Sequence, residues 1–322
     1  MLSTLVGLYD ILNCFENLGR FDEAVPIRNP FQVEIVSSSK TGTDTASGLA
    51  VPVHKTLAEV EDTSVVIVPA LAVQGTAWEK GRYPEMVRWL KSMHRRGALL
   101  CSACSGVLLL AETGLLDGHD ATVHWANANT FRANFPKVRL RLEKTLVSAG
   151  GRQEFIMSGG SASWHDLVLY LIAQQLGPRV AQAIARFTLL QWHVEGQAPY
   201  IPFSPPMEHD DSIVLNAQRW LEDNYTTDTA IDDMVNRSGL AERTFKRRFR
   251  NATNCAPIGY VQHLRVEQAK RRLELSDQSV DEISWEVGYE DPAFFRRLFK
   301  RITQMTPGAY RKRFRVPELT RS

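Results

Sequence analysis

Two hydrophobic patterns divide the chain. From its start to about residue 195, short apolar runs rich in β-branched residues alternate with amphipathic stretches. Phe31–Ser37 (Phe-Gln-Val-Glu-Ile-Val-Ser), Thr63–Pro69 (Thr-Ser-Val-Val-Ile-Val-Pro) and Ala98–Cys101 are bounded by turn residues and predict buried strands. Tyr83–Arg96, Gly106–Thr113 and Trp164–Gln175 repeat their apolar positions at helical spacing. Strand and helix in alternation predict an α/β domain over residues 1–195, a flavodoxin-like parallel sheet with helices on both faces. From Gly196 to Asp211, four prolines and no helical period predict a semi-rigid linker. Beyond it, residues 212–322 hold no strand-like run and predict an all-α domain.

The helical part repeats itself. Ile231-Asp232-Asp233-Met234, then Gly239, matches Val280-Asp281-Glu282-Ile283, then Gly288, at an offset of 49 residues. Each copy reads as a short amphipathic helix, a turn at the glycine, and a second helix; the two copies make two helix-turn-helix units. The second helices run from about Glu242 to Asn251 and from Pro292 to Arg301, the proline standing where a missing N–H costs nothing. Phe245 with Phe249, and Phe295 with Phe299, recur at i, i+4 and mark the side that each second helix buries.

The opposite side is strongly basic. Arg243, Lys246, Arg247, Arg248 and Arg250 follow one another without an acid, and the second copy carries Arg296, Arg297, Lys300 and Arg301. The chain's net charge of +2 conceals an asymmetry: residues 1–211 hold 18 Lys+Arg against 21 Asp+Glu, and residues 212–322 hold 20 against 15. A solvated basic face is the plainer alternative, but two such faces behind two matched helix-turn-helix signatures favour the major groove of double-stranded DNA. Arg and Lys early in such a helix reach base edges, whereas those further along pair with phosphates. Between the copies, Pro257–Glu274 predicts a longer helix, a spacer that would set the second helices one turn of DNA apart, about 34 Å. One chain would then read an asymmetric site.

Residues 213–315 resemble the DNA-binding domain of the AraC/XylS family. The likeness rests on Ser238-Gly239-Leu240, Phe245-Lys246-Arg247-Arg248-Phe249, Arg265-Val266-Glu267-Gln268-Ala269, Gly288-Tyr289-Glu290-Asp291, Phe294 to Lys300, and Thr306-Pro307-Gly308-Ala309-Tyr310-Arg311. It implies that both second helices enter successive major grooves. Arg243, Thr244, Lys246 and Arg247 of the first, and Ala293, Arg296 and Arg297 of the second, would be the base readers, with Arg250 and Lys300 further along. Asn254 and Gln304 stand where the family carries glycine after each helix. Asn accepts a left-handed backbone and Gln does so poorly, which predicts a different ending for the second helix.

The N-terminal part holds one segment with the shape of catalytic chemistry. Ala98 to Val107 (Ala-Leu-Leu-Cys-Ser-Ala-Cys-Ser-Gly-Val) reads as a strand, a tight turn with Cys104 at its tip, and a helix, the outline of a nucleophile elbow. A helix N-terminus favours a thiolate there. Thr122-Val123-His124-Trp125 offers an imidazole, and Met157-Ser158-Gly159-Gly160-Ser161 a small-residue turn able to hold a polar or anionic ligand. These features resemble the PfpI-like branch of the class I glutamine amidotransferase-like superfamily over about residues 5–195. Joined to an AraC-type domain, they resemble regulators of the GlxA type. The resemblance places Cys104 on the superfamily's nucleophile, His124 on a histidine of some branches, and Asp10 near an acidic position of some members.

The departures point away from turnover. Ser102 stands where the enzymes carry glycine, Ser105 where the protease-like members carry histidine, and no third group is placed to orient His124. No catalytic residue is therefore assigned, and the protein is expected not to be an enzyme. Cys104, Ser105, His124, Ser158, Gly159 and Asp10 are expected to contact a ligand instead. Cys101 and Cys104 form a Cys-x-x-Cys spacing, but Cys101 is still in the strand, so the pair would point apart. The remaining histidines, His165 and His193 among them, are scattered without ligand spacing, and neither a metal nor a cofactor is expected.

Composition adds exclusions. Four cysteines make no disulfide framework in a chain of this size, no apolar run is long enough to span a bilayer, and the opening residues lack a basic signal region. A cytoplasmic location is expected. The whole reading is a DNA-binding transcriptional regulator with an N-terminal sensor domain. The resemblance implies an amino-acid-derived or quaternary-amine effector, a homodimer is expected through the sensor domain, and RNA polymerase is a further candidate partner. The rivals are a cysteine hydrolase or glyoxalase-type enzyme fused to a DNA tether, and a thiol redox switch at Cys101 and Cys104.

Overall fold

The computed structural model describes residues 2–40, 45, 47–73 and 78–317, and it separates into two units, Met1–Gln197 and Ala198–Ser322. The first opens with α1 (Ser3–Asn13), α2 (Phe15–Leu18) and a short parallel pair, β1 (Val36–Ser37) with β2 (Lys55–Thr56). There follow β3 (Val65–Val68), α3 (Pro84–Arg95), β4 (Leu99–Ala103), α4 (Gly106–Glu112), β5 (Asp120–Ala121) and α5 (Ala128–Asn134). The unit continues through β6 (Arg139–Leu140), β7 (Leu146–Ala149), β8 (Phe155–Ser158), α6 (Trp164–Leu176) and α7 (Pro178–Thr188).

The main sheet runs in the order β3-β4-β8-β7. Alternation decides which core each strand residue enters. Val66, Val68, Leu100, Phe155 and Met157 face one core with α3, α4 and α5, whereas Cys101, Ala103 and Ile156 face the other with α1, α6 and α7. Helices thus cover both faces of a flavodoxin-like sheet. Strands β3, β4 and β8 are parallel, but β7 is antiparallel to β8, joined through Gly150 at φ +90°, so the sheet is mixed at one edge. The expected strand over residues 31–37 shrinks to its last two residues. Asn29 turns the chain at Phe31 through its side chain, and the His54 ring accepts the N–H of Ile35 in place of a ladder bond.

The second unit contains α8 (Ser212–Asn224), α9 (Ala230–Ser238), α10 (Glu242–Thr253), α11 (Pro257–Leu275), α12 (Val280–Glu286), α13 (Pro292–Thr303) and α14 (Pro307–Phe314). The stretch expected to be a linker is instead a strap packed along it. After one tight turn at Ala198–Tyr200 it joins no helix or sheet as far as residue 208, which leaves its backbone free for side chains: the Lys270 ammonium donates to the Ile201 carbonyl (3.0 Å) and the Gln218 amide to that of Pro206 (2.9 Å). Phe203 packs on Tyr260 and His263, and Tyr200 on Phe314. The residue before the strap, Gln197, is buried in the first unit. Both ends of the expected linker are therefore held, each by its own unit.

Candidate nucleic-acid interface and elbow site

Each helix-turn-helix half turns at a glycine before its outer helix, and only α13 then carries a side-chain cap. Gly239 closes α9 at φ +65°, Gly288 follows α12 at φ +89°, and the Asp291 carboxylate caps α13 by accepting the Ala293 N–H. Phe245 and Phe249 of α10, and Phe295 and Phe299 of α13, are fully buried. At about 3–5 kcal/mol for each Phe→Ala, these pairs fix which side of each helix is left outside. The expected difference between the helix ends does not occur. Asn254 and Gln304 both adopt the left-handed conformation, at φ +55° and +61°. Matching threonines explain it: Thr253 and Thr303 each donate to a phenylalanine carbonyl one turn back and accept the N–H two residues on, tightening both ends alike. Gln304 also turns its amide back on the Arg301 carbonyl.

Partners sort the basic residues. Arg243, Lys246, Arg247 and Arg250 are exposed on one side of α10, at i, i+3, i+4 and i+7, and Lys246 pairs with Glu242. Arg248 is turned away. Its guanidinium donates two bonds to Asp211, at 2.8 and 2.9 Å, while the same carboxylate caps α8. Arg248 holds the Asp211 carboxyl below its ordinary value, with the Val214 N–H helping. On α13, Ala293, Arg296, Arg297 and Lys300 are exposed; Arg296 pairs with Asp281, and Arg297 lies 3.9 Å from Asp291. Thr244 is half-buried. A groove of about 580 Å³ runs beside α10, lined by Lys246, Arg247 and Arg250 together with Ile231, Pro257 and Ile258. The groove therefore sets three cations beside an apolar floor.

At the elbow, β4 passes into α4 through Cys104 at φ +57°, a strained backbone of the kind stored at functional turns. Gly106 is required there, because a Cβ would lie 2.3 Å from the Val68 carbonyl oxygen. Cys104 is 6% exposed, and its thiol lies 3.6 Å from the Ser161 hydroxyl. Ser105 donates to the Leu71 carbonyl, and the Ser158 carbonyl accepts the Cys104 N–H, its own hydroxyl being buried without a partner. His124 begins a short turn, its Nδ1 accepting the Ala126 N–H, and burial lowers its pKa. Among the described residues no hydrogen bond joins His124 to Cys104. Asp10 is exposed on α1. Cys101 is packed in the core, where burial pushes its thiol far up.

Sequence reasoning missed two arrangements, both made by distant residues. Gln197 sends its amide nitrogen towards Thr122 Oγ1 and the carbonyls of Val123, Leu142 and Lys144. Gly159 is glycine for its sake, since a Cβ would sit 2.1 Å from that nitrogen. The turn after β8 is thus clamped at Gly159. The histidines expected to be scattered also converge: His165, Asp166 and His193 bring their ligand atoms within 4.8 Å of one another. Asp166 accepts the ring and backbone N–H of His193, and His165 Nε2 meets the Gln191 carbonyl at 2.8 Å. These bonds anchor the segment after α7 to the start of α6. No signal short of the fold joins residues 27 apart in this way.

The DJ-1/PfpI family matches residues 9–153, and a helix-turn-helix domain family matches residues 234–313. The chain is similar to the HTH-type transcriptional regulator CdhR of Pseudomonas aeruginosa, with 29% identity over 67% of this chain and 64% of that one. It is similar to the HTH-type transcriptional regulator GlxA of Rhizobium meliloti, with 27% identity over 70% and 68%. It is also similar to the HTH-type transcriptional regulator GbdR of Pseudomonas aeruginosa, with 24% identity over 76% and 66%. The alignments therefore span about two thirds of these relatives' own length.

Proposed function

We propose that the chain is a sequence-specific, DNA-binding transcriptional regulator of the AraC type with an N-terminal DJ-1/PfpI domain. The observation that carries this reading is the pair of outer helices, α10 and α13, each anchored by two buried phenylalanines and each presenting a cationic side to solvent. Arg243, Thr244, Lys246 and Arg247 read bases in one major groove; Ala293, Arg296 and Arg297 read the next. Arg250 and Lys300 contact phosphates. The assignment of Arg248 to Asp211 removes it from the reading face.

The first unit is the sensor. A small effector, of amino-acid-derived or quaternary-amine chemistry as the family resemblance suggests, is held near Cys104, Ser105, His124, Ser158 and Gly159, at the carboxyl ends of β4 and β8. A non-catalytic role accords with the neighbour of the Cys104 sulfur, a hydroxyl, and with His124 Nδ1 already accepting a backbone bond. The strained φ at Cys104 is the one observation favouring a cysteine hydrolase, and a turnover lost on Cys104→Ala would replace the sensor reading. Assembly as a homodimer through the first unit, contact with RNA polymerase and a cytoplasmic location complete the proposal.

Selection of random duplex DNA by the full chain tests it. The expected outcome is an asymmetric motif of two segments whose centres lie about 10 base pairs apart. A selection that enriches no motif overturns the reading.

A further inference from the structure

The two helix-turn-helix halves have separate cores. Val214, Leu221, Met234, Phe245, Phe249, Tyr260 and Val261 form the first; Val266, Ala269, Leu273, Ile283, Phe295 and Phe299 belong to the second. The long helix α11 enters both, giving its N-terminal half to one and its C-terminal half to the other. A single helix bends readily enough that it does not by itself hold two cores at one angle.

At the crossover on α11 sits Arg265, a cation only 8% exposed. Its Nε donates to the Tyr225 carbonyl at 2.7 Å and its Nη2 to the Thr227 carbonyl at 2.9 Å, both in the turn between α8 and α9 of the first half. Its Nη1 donates to the Gly288 carbonyl at 2.6 Å, in the turn of the second half. The guanidinium lies 4.9 Å from the centre of the Tyr289 ring. The two turns also touch: a Cβ on Gly288 would lie 2.5 Å from the Thr226 carbonyl oxygen and 2.9 Å from Arg265 Cζ. A buried guanidinium with no acid partner among the described residues is tolerated only while its donors are satisfied. Any pivot of one half against the other strips it of at least one acceptor.

We propose that Arg265 is a positioning residue that fixes the separation and angle of α10 and α13, and through them the spacing of the two DNA segments the chain accepts. The inference rests on the DNA-binding reading above. It assigns to Arg265 a property of the site, its spacing, rather than the identity of any base.

The test uses the full chain and the motif it selects, rebuilt with one base pair inserted or removed between the segments. Wild type should lose about tenfold or more in affinity for either change, a loss of the size of one mismatched base pair. Arg265→Gln, with acceptors and donors misplaced, should bind the three spacings within about threefold of one another while keeping its base preferences. Arg265→Lys, which reaches one carbonyl at a time, should fall between. Arg265→Gln that keeps the wild-type penalty for altered spacing overturns the proposal. So does loss of the cooperative melt in both variants, since Arg265 is then needed to fold the unit rather than to space it. If wild type selects no motif, the DNA reading fails and the positioning role is read without DNA. Nitroxides at Asn236→Cys and Lys312→Cys, in a chain whose native cysteines are alanine, should show a distance distribution that broadens in Arg265→Gln. An unchanged distribution overturns the brace.

Discussion

Neighbouring arginines on α10 should do unrelated things when removed. Arg247 and Arg250 are exposed beside the groove, whereas Arg248, one residue along, is bound through two donors to Asp211. Charge-assisted bonds of that kind contribute about 1.5–3 kcal/mol in protected settings. The Arg248 side chain is 38% exposed, so solvent screening brings the figure nearer about 1 kcal/mol. Arg248→Ala should therefore lower the melting temperature of the second unit by about 4 °C. Its affinity for the selected site should stay within about twofold. Arg247→Ala should do the reverse. Loss of a base contact worth about 1–3 kcal/mol weakens specific binding about 5- to 150-fold and relaxes preference at one position, with the melt unchanged. Arg250→Ala should weaken selected and scrambled duplexes alike and lower the salt slope by about 0.9. Fluorescence anisotropy at several salt concentrations, with calorimetry on the same samples, reads all three. Arg248→Ala that loses specific affinity as Arg247→Ala does, with no change in melting, would refute this partition of the helix face.

The bond to Arg248 holds the Asp211 carboxyl low, so its contribution is present above the unfolded value of about 3.9 and fades as pH falls through the folded one. Melts of wild type and Asp211→Asn should differ at pH 6 and draw together as pH falls beneath the unfolded value of about 3.9 and through the lower folded one; a gap that does not narrow in acid contradicts the ion pair. Gln197→Ala leaves the Val123 and Leu142 carbonyls without this donor, while that of Lys144 keeps the Thr122 hydroxyl, and should destabilise the first unit by about 1–3 kcal/mol, seen as an earlier transition in calorimetry. An unmoved transition would mean that water replaces the amide. Cys104→Ser should leave DNA affinity without effector unchanged and shift the effector concentration at half-response in a reporter assay; coincident curves place the ligand elsewhere.

The helical half was readable because its determinants are local. Phenylalanines four apart, a glycine at each turn and prolines at helix starts act over one or two turns, and the repeat shows them twice. Gln304 misled because a propensity was weighed without the Thr303 hydroxyl, which satisfies the turn. In the first unit the elbow at Cys104 was legible, as a strand running into a helix across one tip residue. The edge strand β7, Leu-Val-Ser-Ala, has too short an apolar run to stand out, and its direction is set by the turn at Gly150. Gln197 and the meeting of His165, Asp166 and His193 lie beyond sequence pattern, because residues 26 to 75 apart supply the partners.

The most direct measurement titrates the full chain with its selected duplex and with a scrambled duplex of the same composition across a salt series. The account predicts affinity that falls steeply with salt on both, and a selected site favoured by about a thousandfold or more near physiological salt. Equal affinities for the two duplexes at every salt concentration would contradict it.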